Sequence, residues 1–309
     1  GRQMSDAVRR SRCIFQVGSQ QRSRRPWPQF KQVCQLVRNG RIGQIRPVQV
    51  GLMTDPGRAT APEMQGPQDL NYETTLGSTR VVYYAEKRVH PQKNSDRPGW
   101  LRCEQFGAGM ITGWGAHHLD TAHWAMDTEL TGPVEVEGQA EFPKSGLWNV
   151  HGDFEVFAKY ASGITMHISS KFPNGVRFEG SEGWIFVSRG SGQVTDSDPV
   201  SGDPNKAPIL VSDKKLLEPA GTPDPIQLYD SPEQHLNWLE CIRTRKEPIA
   251  PVEVAHRSCS ACLVSHIAMK LNRKLYWDPA QEKFKNDSEA NAMCSRPQRK
   301  PFGTDYVRV

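Results

Sequence analysis

The sequence predicts an α/β protein, in which the last part of an alternating α/β domain precedes an α/β domain with an open, mainly antiparallel sheet. Three observations indicate this class. Helix-like and strand-like segments alternate before residue 45, short runs of alternating apolar and polar residues fill residues 133–190, and two helical segments follow. The 309 residues, 37% of them hydrophobic, supply enough apolar side chains for one or two compact units.

The first 45 residues predict a helix, a strand, a loop and a second helix. In GRQMSDAVRRS, Met4, Ala7 and Val8 recur on one helical face, and CIFQVG is a short apolar strand. The helix in PQFKQVCQLVRNG ends at Gly40, a residue that suits the left-handed cap after a last turn. Because the first residues already lie inside a helix, we expect this domain to lack a segment upstream of Gly1.

The remainder of the chain predicts the second domain. IGQIRPVQVGLM begins it as a strand, residues 54–70 form a loop rich in proline and glycine, and residues 107–127 run into a helix. The runs VEVEG, DFEVFAKY, GITMHIS, GVRFEG and GWIFVSRG are separated by glycine turns, as is typical of an antiparallel meander. A polar stretch over residues 196–231, two helices, the strand KLYWDP and a polar tail complete the chain.

Composition argues against several classes of protein. The net charge of +5 is small for this length and no nucleic-acid-binding motif accompanies it, so we expect no nucleic-acid partner. No apolar run reaches the roughly 18 residues that a membrane helix needs, so we expect no membrane association. Seven cysteines, an odd number in a long chain, argue against a disulfide framework. Localisation is open: we expect the cytoplasm by default, and the periplasm if a signal preceded Gly1.

A glycine-rich run followed by histidines carries the most chemical information. Residues 107–120 read GAGMITGWGAHHLD, and a further histidine, His123, follows. Three residues turn a helix by about 300°, so His117 and Asp120 share a face, where the carboxylate can orient the imidazole or hold a substrate hydroxyl. His118 and His123 lie about 140° apart around the helix and cannot converge on one ion. We therefore predict no metal site.

These segments, in this order and spacing, resemble the Gfo/Idh/MocA oxidoreductase family, most closely a bacterial subgroup. The segments that carry the resemblance are FQVGSQQRS, LVRNGRIGQI, GAGMITGWGAHHLDTAHW, GLWNVHGDFEVFAKYASGITM, FEGSEGWIFVSRG, HLNWLECIRTRKEPIAPVEVAHRSCSACLVSHIAMKL and SRPQRKP. The resemblance implies that residues 1–45 are the C-terminal remnant of a Rossmann domain and that residues 46–309 form a substrate and oligomerisation domain. It also implies NAD or NADP as the cofactor and a reaction at a hydroxyl of a sugar, cyclitol or related polyol.

The resemblance assigns a catalytic role within the glycine–histidine motif. His117 matches the family's catalytic histidine and Asp120 matches the acid three residues later. A histidine suits proton transfer with a hydroxyl because its ordinary pKa lies near neutral pH. Gly113 stands where the family has a second acid, so this motif carries only one of the two carboxylates of the family pattern.

Two further groups of residues are candidates for binding. Gln20, Gln21 and Arg22 follow the predicted strand, at the position where the family has a polar residue near the nicotinamide, and an ordinary solvated loop is nearly as good an interpretation. The candidates for lining a sugar site through stacking and hydrogen bonds are Trp100, Arg102 and Trp114. Taken singly, such residues more often belong to the core or the surface.

The sequence also departs from the family pattern. The glycine-rich turn that receives the pyrophosphate, the acidic residue after it and the Glu-Lys-Pro with the family's catalytic lysine are not found in the chain. We therefore expect an incomplete site for NAD or NADP, no activity of this chain alone, and a homo-oligomer formed through the C-terminal sheet. The alternatives are a glycosidase or lyase that recycles NAD, and a carbohydrate-binding or oligomeric protein without turnover.

Overall fold

A computed structural model describes residues 1–55, 57, 59–90, 99–190, 208–219, 221 and 223–304. Over these residues a nine-stranded sheet carries helices on one face. The helices are α1 Arg2–Ser11, α2 Pro28–Arg38, α3 Tyr72–Leu76, α4 Glu86–Val89, α5 Met110–Gly113, α6 Gly115–Met126, α7 Gln234–Thr244, α8 Val252–Leu271 and α9 Ser288–Ala292. The strands are β1 Ile45–Gly51, β2 Glu135–Ala140, β3 Phe154–Lys159, β4 Thr165–Ser169, β5 Gly175–Gly180, β6 Gly183–Val187, β7 Ile209–Val211, β8 Leu275–Asp278 and β9 Lys283–Phe284.

The sheet is open and mainly antiparallel, which confirms the predicted fold class. Its strand order is β7-β6-β5-β1-β4-β3-β2-β8-β9, so β7 and β9 are its edges. Strands β1 and β4 pair in parallel, and the other described pairs are antiparallel. The five runs predicted for residues 133–190 form β2 to β6. Helix α8 packs on β2 and β3, α6 packs on α8, and α2 packs on α6.

One hydrophobic core joins the helices to the inner face of the sheet. It contains Phe30 and Val33 of α2, Leu119 of α6, and Val48 and Ile168 of the sheet. Alternation along each strand explains this, because every second side chain points to the same face. Helix α2 therefore shares a core with the sheet, and the packing shows no break at the boundary predicted at residue 45. That boundary stays a prediction.

The N-terminal segment differs from its prediction in two respects. Residues 13–18 form no strand, and Val17 N–H donates to the carbonyl of Ala250. Helix α1 also buries a different face, because Met4 is 50% exposed while Ser5 is buried. The Ser5 hydroxyl donates to Glu253 of α8, and Arg2 pairs with the same carboxylate. Polar and charged contacts, rather than an apolar stripe, fix this helix.

Helix α7 is polar on its buried side and apolar on its exposed side. Asn237 is buried, where its side chain donates to the Tyr229 hydroxyl and accepts from the Ile249 amide. Buried Gln234 donates to the Val17 carbonyl. The large apolar side chains of the helix face solvent, between 40% and 56% exposed; they are Leu236, Trp238, Leu239 and Ile242.

Three short elements after residue 190 were not predicted from the sequence. Strand β7 lies in the stretch taken as polar, and β9 and α9 lie in the tail. No helix in the described part of the chain is long and apolar enough to cross a membrane.

Candidate active site

A glycine turn positions the start of the helical segment that carries the histidines. Gly109 adopts φ = +74°, and a Cβ at this position would lie 3.1 Å from the ring of His151 and from Val150. Only glycine reaches this conformation without strain. The amide of Ile111 donates to Nε2 of His151, so the buried imidazole caps the first turn of α5. Burial lowers the pKa of His151 to about 4, which keeps the ring neutral and able to accept.

The three histidines of α6 lie in different environments. His118 is fully buried, with Nε2 3.0 Å from Asn174 Oδ1, and burial followed by the charge of Arg189 lowers its pKa to about 3. His123 is fully buried, with Nε2 2.7 Å from the Tyr160 hydroxyl, and burial lowers its pKa to about 4. His117 is partly exposed. Among the histidines of α6, His117 is therefore the one that solvent can reach.

Asp120 lies in a buried ion pair with Arg22, and both residues are 2% exposed. Arg22 donates from Nε to Oδ2 at 2.6 Å and from Nη2 to Oδ1 at 2.8 Å, and its Nη1 donates to Glu129 at 2.6 Å. The Ser258 hydroxyl also donates to Oδ1. Although burial opposes the charged form, the two carboxylates raise the pKa of Arg22 above its ordinary value. The pair joins the Gln20–Arg22 turn to α6.

Gln21 connects the same turn to the backbone of His117. Its side-chain amide donates to the Thr121 hydroxyl at 2.9 Å and to the His117 carbonyl at 3.0 Å, and its oxygen accepts from Arg189 Nε at 3.1 Å. Gln21 is 2% exposed, whereas Gln20 is partly exposed. The structure thus brings Gln21 and Arg22 next to the predicted catalytic helix, with their polar groups engaged inside the protein.

Trp114 lies beside His117, with their ring centroids 6.0 Å apart and the planes at 66°. The guanidinium of Arg189 lies over Trp114 at 4.4 Å and over Trp27 at 3.8 Å. Arg189 and Trp27 were not among the predicted site residues. Arg189 lies near the end of the predicted run GWIFVSRG, and residues at strand ends often bind ligands, which was the available signal. Trp27 carried none.

Trp100 and Arg102 belong to a different part of the molecule. Arg102 is buried over the ring of Trp148 at 4.5 Å and lies 3.5 Å from Asp55, while Trp100 is 42% exposed. Trp148 belongs to a second, smaller apolar cluster with Ala85, Cys103 and Leu147, whereas Trp114 lies in the main core. Trp114 and Arg102 thus lie at different clusters, Trp100 belongs to neither, and the role of all three in sugar binding stays a prediction.

The incomplete site for NAD or NADP stays a prediction. In the described ranges, no glycine-rich turn leads from a strand into a helix, which is the element that receives a pyrophosphate. The guanidinium of Arg22 pairs with Asp120 and Glu129. The described residues also contain no group of three or more histidine, cysteine or acidic side chains placed to hold a metal ion.

Comparison with known proteins shows the family. A family model described as the C-terminal alpha/beta domain of the Gfo/Idh/MocA oxidoreductases matches residues 30–197 and 221–304. The chain belongs to this family. The match confirms the resemblance carried by the sequence motifs, and it begins within α2, upstream of the boundary predicted at residue 45.

Several solved structures share the fold at low sequence identity. Aldose-aldose oxidoreductase from Caulobacter crescentus, complexed with glycerol, has 18% identity and a TM-score of 0.51, covering 88% of this chain and 67% of that one. The WlbA dehydrogenase from Bordetella pertussis, in complex with NADH and UDP-GlcNAcA, has 15% identity and a TM-score of 0.55, covering 90% and 68%. An NAD-binding protein from Listeria innocua has 17% identity and a TM-score of 0.51, covering 88% and 66%.

The Gfo/Idh/MocA chain described here therefore spans about two-thirds of the length of these structures. No curated protein is similar enough in sequence to count as its relative.

Proposed function

We propose that this Gfo/Idh/MocA chain provides the substrate side of an oxidoreductase that transfers hydride between NAD or NADP and a hydroxyl of a sugar, cyclitol or related polyol. Membership of an oxidoreductase family supports the reaction class. The structures of similar fold include an aldose-aldose oxidoreductase with glycerol and a dehydrogenase with NADH and UDP-GlcNAcA, which supports a polyol or sugar and a nicotinamide cofactor.

The observation that carries this proposal is the exposure of His117. Oxidation of a hydroxyl requires a base that takes the hydroxyl proton, and such a base must reach the substrate. His118 and His123 are buried and neutral, with pKa values of about 3 and 4, so neither can serve. His117 is partly exposed on the same helix, and its ring lies beside the ring of Trp114. The imidazole of His117 takes the proton in oxidation and returns it in reduction.

Asp120 contributes to the site through packing rather than through proton exchange. Its two carboxylate oxygens accept from Arg22 and Ser258 in a region closed to solvent. In our proposal this pair holds the turn containing Gln21 against α6, and Gln21 in turn holds the His117 carbonyl. Because the described residues lack a pyrophosphate-binding turn, no contact with the cofactor is assigned to them.

The test compares His117→Gln with His118→Gln. Glutamine keeps a hydrogen-bonding side chain of similar length but cannot act as a base near neutral pH. We expect His117→Gln to lower single-turnover hydride transfer about 10²–10⁴-fold, with substrate affinity little changed, because a positioned general base contributes that factor. His118→Gln can still donate to Asn174, so it should retain most of the rate. The rates are measured at saturating cofactor between pH 5 and 9, in a form of the protein extended upstream of Gly1 by a pyrophosphate-binding segment.

The comparison can contradict the assignment directly. If His117→Gln keeps the wild-type rate and pH profile while His118→Gln loses both, α6 presents its other face to the substrate and His117 is not the base.

A further inference from the structure

We propose that Arg189 is a positioning residue, which fixes the backbone and the ring of His117 from outside the helix. This inference rests on the function proposed above for His117. Arg189 lies two residues beyond β6, is 8% exposed, and reaches α6 and the Gln20–Arg22 turn through its side chain.

The first connection runs through hydrogen bonds. Arg189 Nε donates to the side-chain oxygen of Gln21 at 3.1 Å, and the Gln21 amide nitrogen donates to the His117 carbonyl at 3.0 Å. The Thr121 hydroxyl donates to the same carbonyl at 3.0 Å. Because that carbonyl receives two side-chain donors, the backbone of His117 is held more tightly than helix formation requires. Arg189 fixes the orientation of the Gln21 amide, because its Nε–H needs an acceptor and the Gln21 side-chain oxygen supplies one.

The second connection runs through ring contacts. The Arg189 guanidinium lies between the rings of Trp27 and Trp114, at 3.8 Å and 4.4 Å from their centroids. A cation enclosed by two indoles restricts the tilt of both. Trp114 in turn meets the ring of His117 edge to face, with centroids 6.0 Å apart. Removing the guanidinium would release Trp114, and with it the surface on which the His117 ring lies.

The backbone around Arg189 is itself fixed, as a positioning residue requires. The carbonyl of Ser188 accepts from the buried Gln29 side chain at 3.0 Å, and the Ser188 hydroxyl accepts from the Gly190 amide at 3.1 Å. Lysine cannot replace arginine here, because it has neither the planar group that stacks between two rings nor the directed Nε donor.

The first measurement is independent of catalysis. In the 309-residue chain with labelled histidine and tryptophan side chains, nuclear Overhauser contacts between the Trp114 and His117 rings are compared for wild type, Arg189→Lys and Arg177→Lys. Arg177 is the matched control, because its guanidinium also stacks on a tryptophan, Trp184 at 4.0 Å, but on the open face of the sheet. We expect the contacts to be lost in Arg189→Lys and kept in Arg177→Lys. Unchanged contacts in a folded Arg189→Lys protein would overturn the proposal.

The second measurement is a double-mutant cycle on single-turnover and steady-state hydride transfer, in the same upstream-extended form of the protein. We expect Arg189→Lys to lower the turnover rate about 10- to 100-fold, because small displacements of a reacting group have effects of that size, with KM changed less than about twofold. In the His117→Gln background it should cause no further loss, since it acts through His117. A loss that multiplies with that of His117→Gln, or a loss confined to KM, would mean that Arg189 contacts the substrate, and would overturn the proposal.

A second variant decides the question if Arg189→Lys fails to fold. Gln21→Leu removes the hydrogen bonds but keeps the buried volume, and it should lower turnover in the same non-additive way; an additive loss overturns the proposal. The two proposals also fail differently. If His117→Gln retains wild-type turnover, the assignment of the base is wrong, whereas loss of the ring contacts in Arg189→Lys would still support the positioning role.

Discussion

At the scale of single residues, the buried pair of Arg22 and Asp120 has a large energetic consequence. Two opposite charges are almost completely removed from water, and each has hydrogen-bond partners inside the protein. A buried pair of this kind is weak evidence for net stability, but the loss of one partner leaves the other charge buried and uncompensated.

We expect Asp120→Asn to lower the free energy of unfolding by about 3 kcal/mol, within the range found when one partner of a buried pair is removed. Glu129 would remain as the counter-charge of Arg22, which limits the loss. Urea unfolding followed by circular dichroism measures the change. Asp230→Asn is the matched control: Asp230 pairs with Lys31 but is 55% exposed, so its loss should cost less than about 1 kcal/mol. Equal costs for the two variants would contradict this account.

This pair also shows what the sequence could and could not predict about the site. Helical periodicity placed His117 and Asp120 on one face, and the motif identified the helix that carries them. The partner of Asp120 lies 98 residues away in the chain, so local spacing could not reveal it. Asp120 and Arg22 were predicted to have separate roles, one catalytic and one at the cofactor, and the structure joins them. The same holds for Arg189, whose contacts with Gln21, Trp27 and Trp114 are non-local.

At the scale of elements, the open face of the sheet carries a continuous row of side chains. Glu137, Phe157, His167, Gln49, Arg177 and Phe186 lie opposite one another on successive strands from β2 to β6. Phe157 is 50% exposed and stacks on His167 with centroids 4.3 Å apart. Alternation in the sequence predicts Val187 on the same face as Phe157, and this prediction is wrong: Val187 is fully buried in the core.

We predict that the chain self-associates through this open face, because aromatic side chains in a broad sheet surface are seldom left in water. Light scattering at tens of micromolar should show a dimer or a larger oligomer. Phe157→Glu should shift the population towards the monomer, whereas Leu130→Glu should not, since Leu130 is 67% exposed in the turn after α6 and lies outside the sheet. A wild-type monomer at these concentrations would be incompatible with the prediction.

The meander could be predicted because each strand shows its alternation in the sequence and is joined to the next by a short turn. The structure of residues 13–18 and the presence of β7 could not be predicted from the sequence. The first segment has the composition of a strand but no described strand lies beside it, and a strand is defined by its neighbours. Strand β7 has only three residues, too few for a periodic signal, and it forms because β6 offers an edge.

At the scale of the whole molecule, buried neutral histidines make stability depend on pH. The pKa values of His118, His123 and His151 are lowered by burial to about 3, 4 and 4, against an ordinary value near 6.5. At pH values between the lowered pKa of each histidine and its ordinary pKa, the unfolded chain binds more protons than the folded one. The free energy of unfolding therefore falls as pH falls. Each histidine contributes up to about 1.4 kcal/mol per pH unit.

We expect stability in urea to decline from pH 6.5 to 4.5, before the carboxylates take part. Glu104 and Glu253 have pKa values of about 2, lowered chiefly by hydrogen bonds from His266 and Arg2, so their contributions are lost mainly below pH 4.5. His123→Gln should make the decline shallower. His235→Gln should leave it unchanged, because that side chain is 79% exposed. A flat profile between pH 7 and 5 would refute the role of the buried histidines.

We also predict that this 309-residue chain binds NAD and NADP weakly. The backbone amides of a glycine-rich turn supply most of the anchoring of a pyrophosphate, and the described residues contain no such turn. Calorimetry with millimolar cofactor should give little heat. An affinity in the micromolar range would show that other residues of the chain form the site.

The reversed polarity of α7 has a consequence for how substitutions in this protein are tolerated. In most amphipathic helices, apolar positions are constrained and polar positions vary freely. Here Asn237 and Gln234 hold the Ile249 amide and the Val17 carbonyl inside the protein, so truncating either leaves a buried polar group without its partner. Leu239, 56% exposed, can change to a polar residue at little cost to folding. A hydropathy profile would therefore rank the constrained positions of this helix in the wrong order.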